Sequence, residues 1–291
     1  MGVATPTGGG YLVPEEFERS IEKALLFFGG MREAATVITT DAGEDLHYPT
    51  SNDTTQTGEI LGEGSAASEQ DVAVGQRVFK AFMYSSRVVR VSLQLMQDSA
   101  FDVESWLAGV LGERIGRITN THYTTGVQPN QPSGIVNDAI VGRTGAVGQP
   151  TSVIWDDLIF LEHAIGIAYR RSPGVRWMMN DSTVREIRRL KDGEGRYLWQ
   201  PGVGSGAPNS ISGYAYIVNN DVAAMAASAR SIVFGDLRKY IIRDVRGFQL
   251  LRLVERYAEF GQVAFVGFFR TDGALVDAGT NPVQVYANPA T

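Results

Sequence analysis

The sequence predicts an α+β fold with one long helix and one β-hairpin too long for a compact body. Val103, Leu107, Val110, Leu111, Ile115 and Ile118 form one apolar stripe at helical spacing. Val72 to Ser92 runs for twenty-one residues rich in β-branched and aromatic side chains, with no proline. The second half alternates helix-period and strand-period segments.

The first ten residues are small and polar and end in Gly8-Gly9-Gly10, which reads as a mobile arm. Tyr11-Leu12-Val13 reads as extended, and Pro14 suits the first turn of a helix. Glu15, Glu16 and Glu18 favour the positive end of that helix, Phe17, Ile21, Leu25 and Phe28 share its face, and Gly29-Gly30 ends it. Ala35 to Thr40 and Leu46 to Tyr48 read as strand. Gly58 to Asp71, with its glycines, serines and four acidic residues, reads as a loop tip. Val72 to Ser92 as a single strand would span roughly 70 Å, against a radius of gyration of about 19 Å for a compact chain of this length. Either it bends and breaks, or it projects and needs a neighbouring subunit to cover it.

Asp102 is a natural N-cap for the long helix, which runs to near Tyr123 and ends before the turn-rich Gly126 to Gly134. Asp156 to Arg171 reads as one amphipathic helix through Leu158, Leu161, Ile165 and Tyr169, stopped by Pro173-Gly174. Arg176 to Met179 reads as a buried strand. Ser182 reads as the cap of a helix with Val184, Ile187 and Leu190 inward, followed by a turn from Lys191 to Gly195. Pro201 to Ser212 reads as a loop. Strands are expected at Tyr214 to Val218, Ser231 to Phe234, Tyr240 to Arg243, Phe248 to Leu253 and Val263 to Arg270.

The 291 residues are 44% hydrophobic and 20% charged, a globular composition with material for a sizeable core. No apolar run approaches the ~18 residues of a membrane span, and no secretory signal opens the chain. The absence of cysteine excludes disulfides, zinc–thiolate sites and thiol nucleophiles. A net charge of −6 argues against tight phosphate binding by the bulk surface.

Little catalytic chemistry is present. His47, His122 and His163 have no metal-ligand spacing, and His163 falls on the polar side of its helix. Gly204-Ser205-Gly206 lacks the strand–turn–helix setting of a nucleophile elbow, and Gly202 to Gly206 lacks the Gly-Lys-Ser/Thr of a phosphate loop. The acidic tip lacks the D-x-D-x-D spacing of a calcium loop, so a solvated or partner-facing tip is the reading. Arg185, Arg188 and Arg189, interrupted by Glu186, read as a solvated helix face. No catalytic, cofactor or metal residue is assigned, and no cofactor is expected.

Trp177-Met178-Met179-Asn180 and the stretch from Val184 to Trp199 resemble the signature of the tailed-phage capsid family, whose fold is the Hong Kong Ninety-Seven fold. Four further segments agree in order. Gly9 to Pro14 resembles the arm motif, Val91 to Ser99 the lead-in to a long spine helix, and Pro132 to Ile135 the turn after it. Phe234-Gly235-Asp236 through Tyr240, with Phe269 to Gly273, resembles the C-terminal strands.

The resemblance implies an N-arm at residues 1–34 and an E-loop with flanking strands at 35–92. It implies a spine helix and peripheral domain at 93–134, continued at 246–272, and an axial domain at 135–245, continued at 273–291. It further implies contact with neighbouring copies through the E-loop tip (Glu59, Leu61, Glu63, Ser65, Glu69, Asp71) and the arm (Tyr11, Leu12, Val13, Pro14). The expected function is a structural, non-enzymatic subunit that self-assembles as pentamers and hexamers into an icosahedral virion shell around double-stranded DNA, after assembly in the host bacterial cytoplasm. DNA is enclosed without sequence-specific binding. Scaffolding, portal and cement or decoration proteins are the implied further partners, with no membrane.

Some family members weld the shell with a lysine–asparagine bond near the E-loop tip. Here no lysine lies between Lys23 and Lys80, and the tip carries Ser65, Ala66, Ala67 and Ser68, so no cross-link is expected. The family often carries an N-terminal scaffolding segment. This chain opens almost at the arm, implying either a protease-trimmed form or a separate scaffold. Two alternatives remain at this stage: a nanocompartment shell of the same fold, and an α+β hydrolase using Ser205 or an acidic pair.

Overall fold

The structure is a computed structural model that describes residues 30–64, 66–99, 102–199 and 210–291. A short helix, α1 (Met31–Ala34), leads into β1 (Thr36–Thr40). The hairpin follows as β2 (Leu46–Ser51) and β3 (Val74–Phe79), paired antiparallel from Leu46↔Phe79 to Ser51↔Val74. The long β-rich stretch bends and breaks after Phe79: β4 (Phe82–Ser85) and β5 (Val89–Ser92) return to the body. Arg87, with φ of 63°, makes the turn between them.

Ser92 caps the short α2 (Leu93–Asp98) by accepting from Leu95 N–H. Asp102 caps the spine helix α3 (Val103–Thr125) by accepting from Glu104 and Ser105 N–H, as the sequence predicts. Twenty-three residues give this helix a length of about 35 Å. Its buried stripe is Val103, Leu107 and Leu111, packed on Val91, Leu95, Val263 and Phe265, and Ile115, packed with Tyr84 and Phe269. The stripe then turns through Thr119, Asn120, Tyr123 and Thr124, and the expected member Ile118 is exposed. The cause is periodicity: 3.6 residues per turn carry a long stripe around the helix, and a different layer covers the C-terminal turns.

Two sheets organise the rest. The first runs β1, β11 (Tyr240–Leu253), β12 (Gln262–Leu275), β4, with β5 also on β12. The second includes β6 (Ile140–Thr144), after the turn helix α4 (Ile135–Asp138). The expected single helix from Asp156 to Arg171 is instead α5 (Trp155–Ala164) and α6 (Ile167–Arg170), separated where Ile165 and Gly166 turn extended. Ile165 is buried with Leu158 and Leu161, the face it would share in a continuous helix, and Gly166 supplies the break. β7 (Val175–Met179) precedes α7 (Asp181–Arg188). The cap of α7 is Asn180, not the expected Ser182: its side chain accepts from Ser182 N–H, and Leu190 is only partly buried.

β8 (Ser210–Ile211), β9 (Tyr214–Val218), β10 (Arg230–Asp236), β11 (Tyr240–Leu253), β12 (Gln262–Leu275) and β13 (Val283–Ala287) complete the chain. The second sheet has the order β6–β13–β10–β7–β9–β8. Trp177 sits at its centre, 4.1 Å from the Phe234 ring, and donates to Ile211 C=O at 3.0 Å. The two expected strands Tyr240 to Arg243 and Phe248 to Leu253 are one strand with a bulge, where Arg246 and Gly247 both have positive φ. Among the described residues no helix is long and apolar enough to cross a membrane.

Candidate inter-subunit site

The hairpin has a fixed root and an uncovered tip. Phe79 closes the root, fully buried against Ile241 and Ala274 with Ile38, Leu46 and Val276 around it. Arg243 on β11 does the polar work. It donates to Phe79 C=O at 2.9 Å, Lys80 C=O at 3.2 Å, Ala42 C=O at 2.9 Å and Thr40 Oγ1 at 3.1 Å. One guanidinium thus ties both ends of the hairpin to the body, using the fixed donor fork that lysine lacks. Asp272 on β12 accepts from Lys80 N–H at 2.6 Å and Gly273 N–H at 2.7 Å. Burial raises its pKa, while these two hydrogen bonds and the nearby Arg77 and Arg243 oppose the rise. Arg77 on β3 reaches Asp138 at 2.7 Å.

Beyond Val74 and Ser51 no strand pairing continues. The tip closes on itself: Glu59 accepts from Ser68 N–H at 2.6 Å, and Gln70 donates to Gln56. That backbone hydrogen bond lowers the Glu59 pKa. Ile60 is fully exposed, Leu61 is half exposed, and Val72 and Val74 also face outward. Glu63, Glu69 and Asp71 are exposed around them. The tip therefore presents two adjacent apolar side chains inside an acidic ring.

The hairpin leans toward one end of β11. Tyr48 to Thr54 line a cleft of about 560 Å³ with Arg238, Lys239, Ile241 and Thr280. At the other end, β1 stops opposite Val245, so among the described residues the outer edge of β11 from Gln249 to Leu253 has no strand beside it. Phe248, Leu250, Leu251, Val254 and Phe260 are exposed there. Such an edge is a template for another chain.

A second polar junction holds the start of the described chain. Arg32 makes a bidentate pair with Asp244 at 2.8 and 2.9 Å and lies over the Phe269 ring. Met31 N–H donates to Asn120 Oδ1, and the Asn120 amide donates to Asn219 Oδ1 at 3.1 Å. Tyr123 O–H and Thr271 Oγ1 lie 2.6 Å apart beneath this pair, and Thr271 Oγ1 contacts Asp244 at 2.9 Å. α1, the spine helix and both long strands meet here.

Of the predicted contact residues, Glu59, Leu61, Glu63, Glu69 and Asp71 lie together on the exposed tip. Ser65 and the arm residues Tyr11, Leu12, Val13 and Pro14, with the helix expected after them, lie outside the described residues, as does Ser205. Sequence reasoning missed Arg243, Arg32 and Asp244. The available signal was charge inside a strand: Arg243-Asp244 interrupts an otherwise apolar run from Tyr240 to Val245.

The histidines and the charged face of α7 have structural partners. The His122 ring lies 2.7 Å from Tyr84 O–H, and burial lowers the His122 pKa and raises that of Tyr84, so a neutral ring accepts from a protonated phenol. His47 meets Gln76 and the exposed His163 meets Arg170. Glu186 pairs with Arg185 and Arg189, and Arg188 covers the Trp199 ring. Among the described residues no three His, Asp or Glu side chains are placed to hold a metal ion.

The family model described as the phage capsid family matches residues 9–286. No curated protein matches the chain in sequence. Among solved structures, the capsid of a native GTA particle with C5 symmetry is 24% identical, with a TM-score of 0.82, over 100% of this chain and 99% of that one. The chain from Mycobacterium phage Adephagia is 14% identical, with a TM-score of 0.73, over 99% and 98%. The chain from Microbacterium phage Oxtober96 is 19% identical, with a TM-score of 0.71, over 99% and 100%. The fold is thus the Hong Kong Ninety-Seven type expected from the sequence.

Proposed function

Because this chain belongs to the phage capsid family, we propose that it is the major capsid subunit of a tailed phage with a double-stranded DNA genome. Copies assemble as pentamers and hexamers into an icosahedral shell, the structural wall of the virion, after synthesis in the bacterial cytoplasm. The C5 symmetry of the similar GTA capsid supports the pentamer. The observation that carries the reading is the hairpin: its root is fixed by Arg243 and Asp272, while its apolar tip is uncovered among the described residues.

In this reading residues 1–34 are the N-arm, 35–92 the E-loop, and 93–134 with 246–272 the spine and peripheral domain. Residues 135–245 with 273–291 form the axial domain, whose six-stranded sheet meets its copies around the symmetry axes. The arm and the tip each engage a neighbour. Each contact is modest, and a closed lattice makes many of them effectively permanent. Scaffolding, portal and cement proteins are the further partners, and DNA is enclosed without sequence-specific contacts.

Electron microscopy and sedimentation of purified protein test the reading. Megadalton icosahedral shells with nucleic acid inside support it. A stable monomer refutes it, and shells filled with an enzyme instead of nucleic acid assign a nanocompartment. The shell is non-covalent, since the described tip carries no lysine and Lys80 stands at the hairpin root. Shells dissolved in hot detergent should run as monomers, and a covalent ladder would contradict this.

A further inference from the structure

The body beneath the hairpin root carries positive charge that its own carboxylates leave unmet. We infer that the cavity between the β1–β2 turn and the β11 bulge is a binding site for a phosphate-class oxyanion, held by Arg246 and Arg270. This goes beyond the shell reading and does not depend on it.

The cavity has a volume of about 380 Å³. Asp41, Ala42 and Gly43 of the turn line one side, and Arg246, Gln249 and Arg270 line the other. Among the described residues, two guanidinium groups thus border the space against a single carboxylate, that of Asp41. Arg246 Nε donates to Asp41 C=O at 2.8 Å, and Arg270 reaches Gly43 C=O at only 3.5 Å. Both contacts are to backbone carbonyls, so neither positive charge is neutralised by them. Each guanidinium has five N–H donors, and most of them are still available. The nearby carboxylates serve other groups. Asp272 accepts from Lys80 and Gly273 N–H, and Asp45 acts on Arg243. Arg243 is itself a third positive charge at this root: burial lowers its pKa most, and the Arg270 charge lowers it further.

The backbone is shaped around these two side chains. Arg246 has φ of 56°, a left-handed conformation that is costly outside glycine, and the bulge so formed re-aims its side chain toward the turn. Arg270 stands opposite Val245 on one side and Met83 on the other, so neighbouring strands fix its stem. At Gly43 an added Cβ would fall on the Arg270 guanidinium. Glycine at this position is what lets Arg270 reach the turn. Two planar donor forks converging on one cavity suit a tetrahedral dianion, which accepts several charge-assisted hydrogen bonds at once. Bound there, it joins the turn that leads into β2 to the β11 bulge and stiffens the root.

Titration of the full-length unassembled subunit with inorganic phosphate, at constant ionic strength made up with chloride, tests the site. Saturable binding of one phosphate per chain is expected. At ten times its Kd, phosphate should raise amide-exchange protection in residues 41–51 roughly tenfold. Arg246→Gln and Arg270→Gln should each weaken phosphate binding about tenfold or more, the loss of one charge-assisted contact. Gly43→Ala needs only to push the flexible end of Arg270 aside, and should weaken binding equally with wild-type circular dichroism. Arg87→Gln, at an exposed arginine between β4 and β5, should bind as the wild type does. Absence of saturable binding overturns the site, as does equal protection by acetate. Full affinity in a folded Arg246→Gln chain, or an equal loss in Arg87→Gln, overturns it as well, since attraction would then be diffuse.

Discussion

Replacing Arg243 by Gln should loosen the hairpin root without unfolding the rest of the molecule. Arg243 is buried and serves three carbonyls and one hydroxyl. The four partners are not equal. Ala42 and Lys80 are exposed, so water replaces the lost donor, and each bond costs about 0.5–1.5 kcal/mol. Phe79 is wholly buried, and its carbonyl loses a charged donor with no water to replace it, which costs about 1–3 kcal/mol. Asp272 also loses a nearby positive charge, which raises its already raised pKa further. The loss comes to about 3 kcal/mol. Confined to one locally opening unit, that corresponds to roughly a hundredfold loss of amide-exchange protection in β2 and β3. Hydrogen exchange on the unassembled subunit reads it directly, with the ladder of β7, β10 and β13 as the internal control. Unchanged protection at 46–51 and 74–79 would refute the assignment of Arg243 as the root clamp. Equal loss everywhere would show that the hairpin is not a separate unit.

Four further outcomes are expected. Asp244→Asn keeps the shape of the Arg32 partner but removes its charge, and should lower stability by about 1–3 kcal/mol while speeding proteolysis near Arg32; denaturant melts and timed digestion check both. Trp177→Leu opens a cavity beside Phe234 and strips the donor from Ile211 C=O, for a loss of about 3 kcal/mol in urea unfolding. His122 has a folded pKa below its unfolded value because burial disfavours the cation, so its stabilising contribution is present above the unfolded value near 6.5 and is lost as pH falls through the lowered folded pKa. His122→Gln should flatten that part of the acid limb of a stability–pH curve, and an identical curve would refute it. Deleting residues 58–71 should leave subunits with wild-type circular dichroism that assemble poorly, and normal shells from that deletion would break the tip's proposed role.

Local chemistry was legible in the sequence and long-range pairing was not. The Asp102 cap and the spine helix follow from nearest neighbours in the chain, and both stand where predicted. The hairpin was read through one long strand from Val72 to Ser92, and of the two outcomes offered the stretch took the broken one: β3 ends at Phe79, and β4 and β5 return to the body. β6 and β13 were missed. β6 is a five-residue edge strand whose partner lies some 140 residues on, and no local pattern marks it. The single strand β11 was read as two because Arg246-Gly247 reads as a turn, whereas the long β12 beside it carries the ladder across the bulge. The helix at Asp156 to Arg171 broke at Ile165 and Gly166 because glycine is weak in a helix interior. The clamps escaped for a related reason. Arg243 and Asp244 alternate across a strand, so each faces a different layer, and only the packed layers reveal that one serves the hairpin and the other the arm root.

The division into a clamped root and a bare apex has an energetic consequence for assembly. Burying Ile60 completely is worth about 1.5–3 kcal/mol, and burying the exposed half of Leu61 about half as much. An ion pair at the rim adds about 1 kcal/mol or less. Joining two free bodies costs an estimated 4–15 kcal/mol in lost translational and rotational freedom. A single apex contact, worth about 2–5 kcal/mol, falls below most of that range, so the hairpin does not drive polymerisation by itself. It contributes once other surfaces have already brought the copies into place, because the association cost is then met and each further contact adds its full favourable energy. A stiff root matters for the same reason: a hairpin free to swing would lose conformational entropy on docking and cancel much of the small gain. Weak single contacts also let a misplaced subunit leave before its neighbours lock it in. On this account the strength of the wall lies in the number of shared contacts, and stiffening or softening Arg243 should change shell stability more than any substitution on the apex that keeps its charge and apolar character.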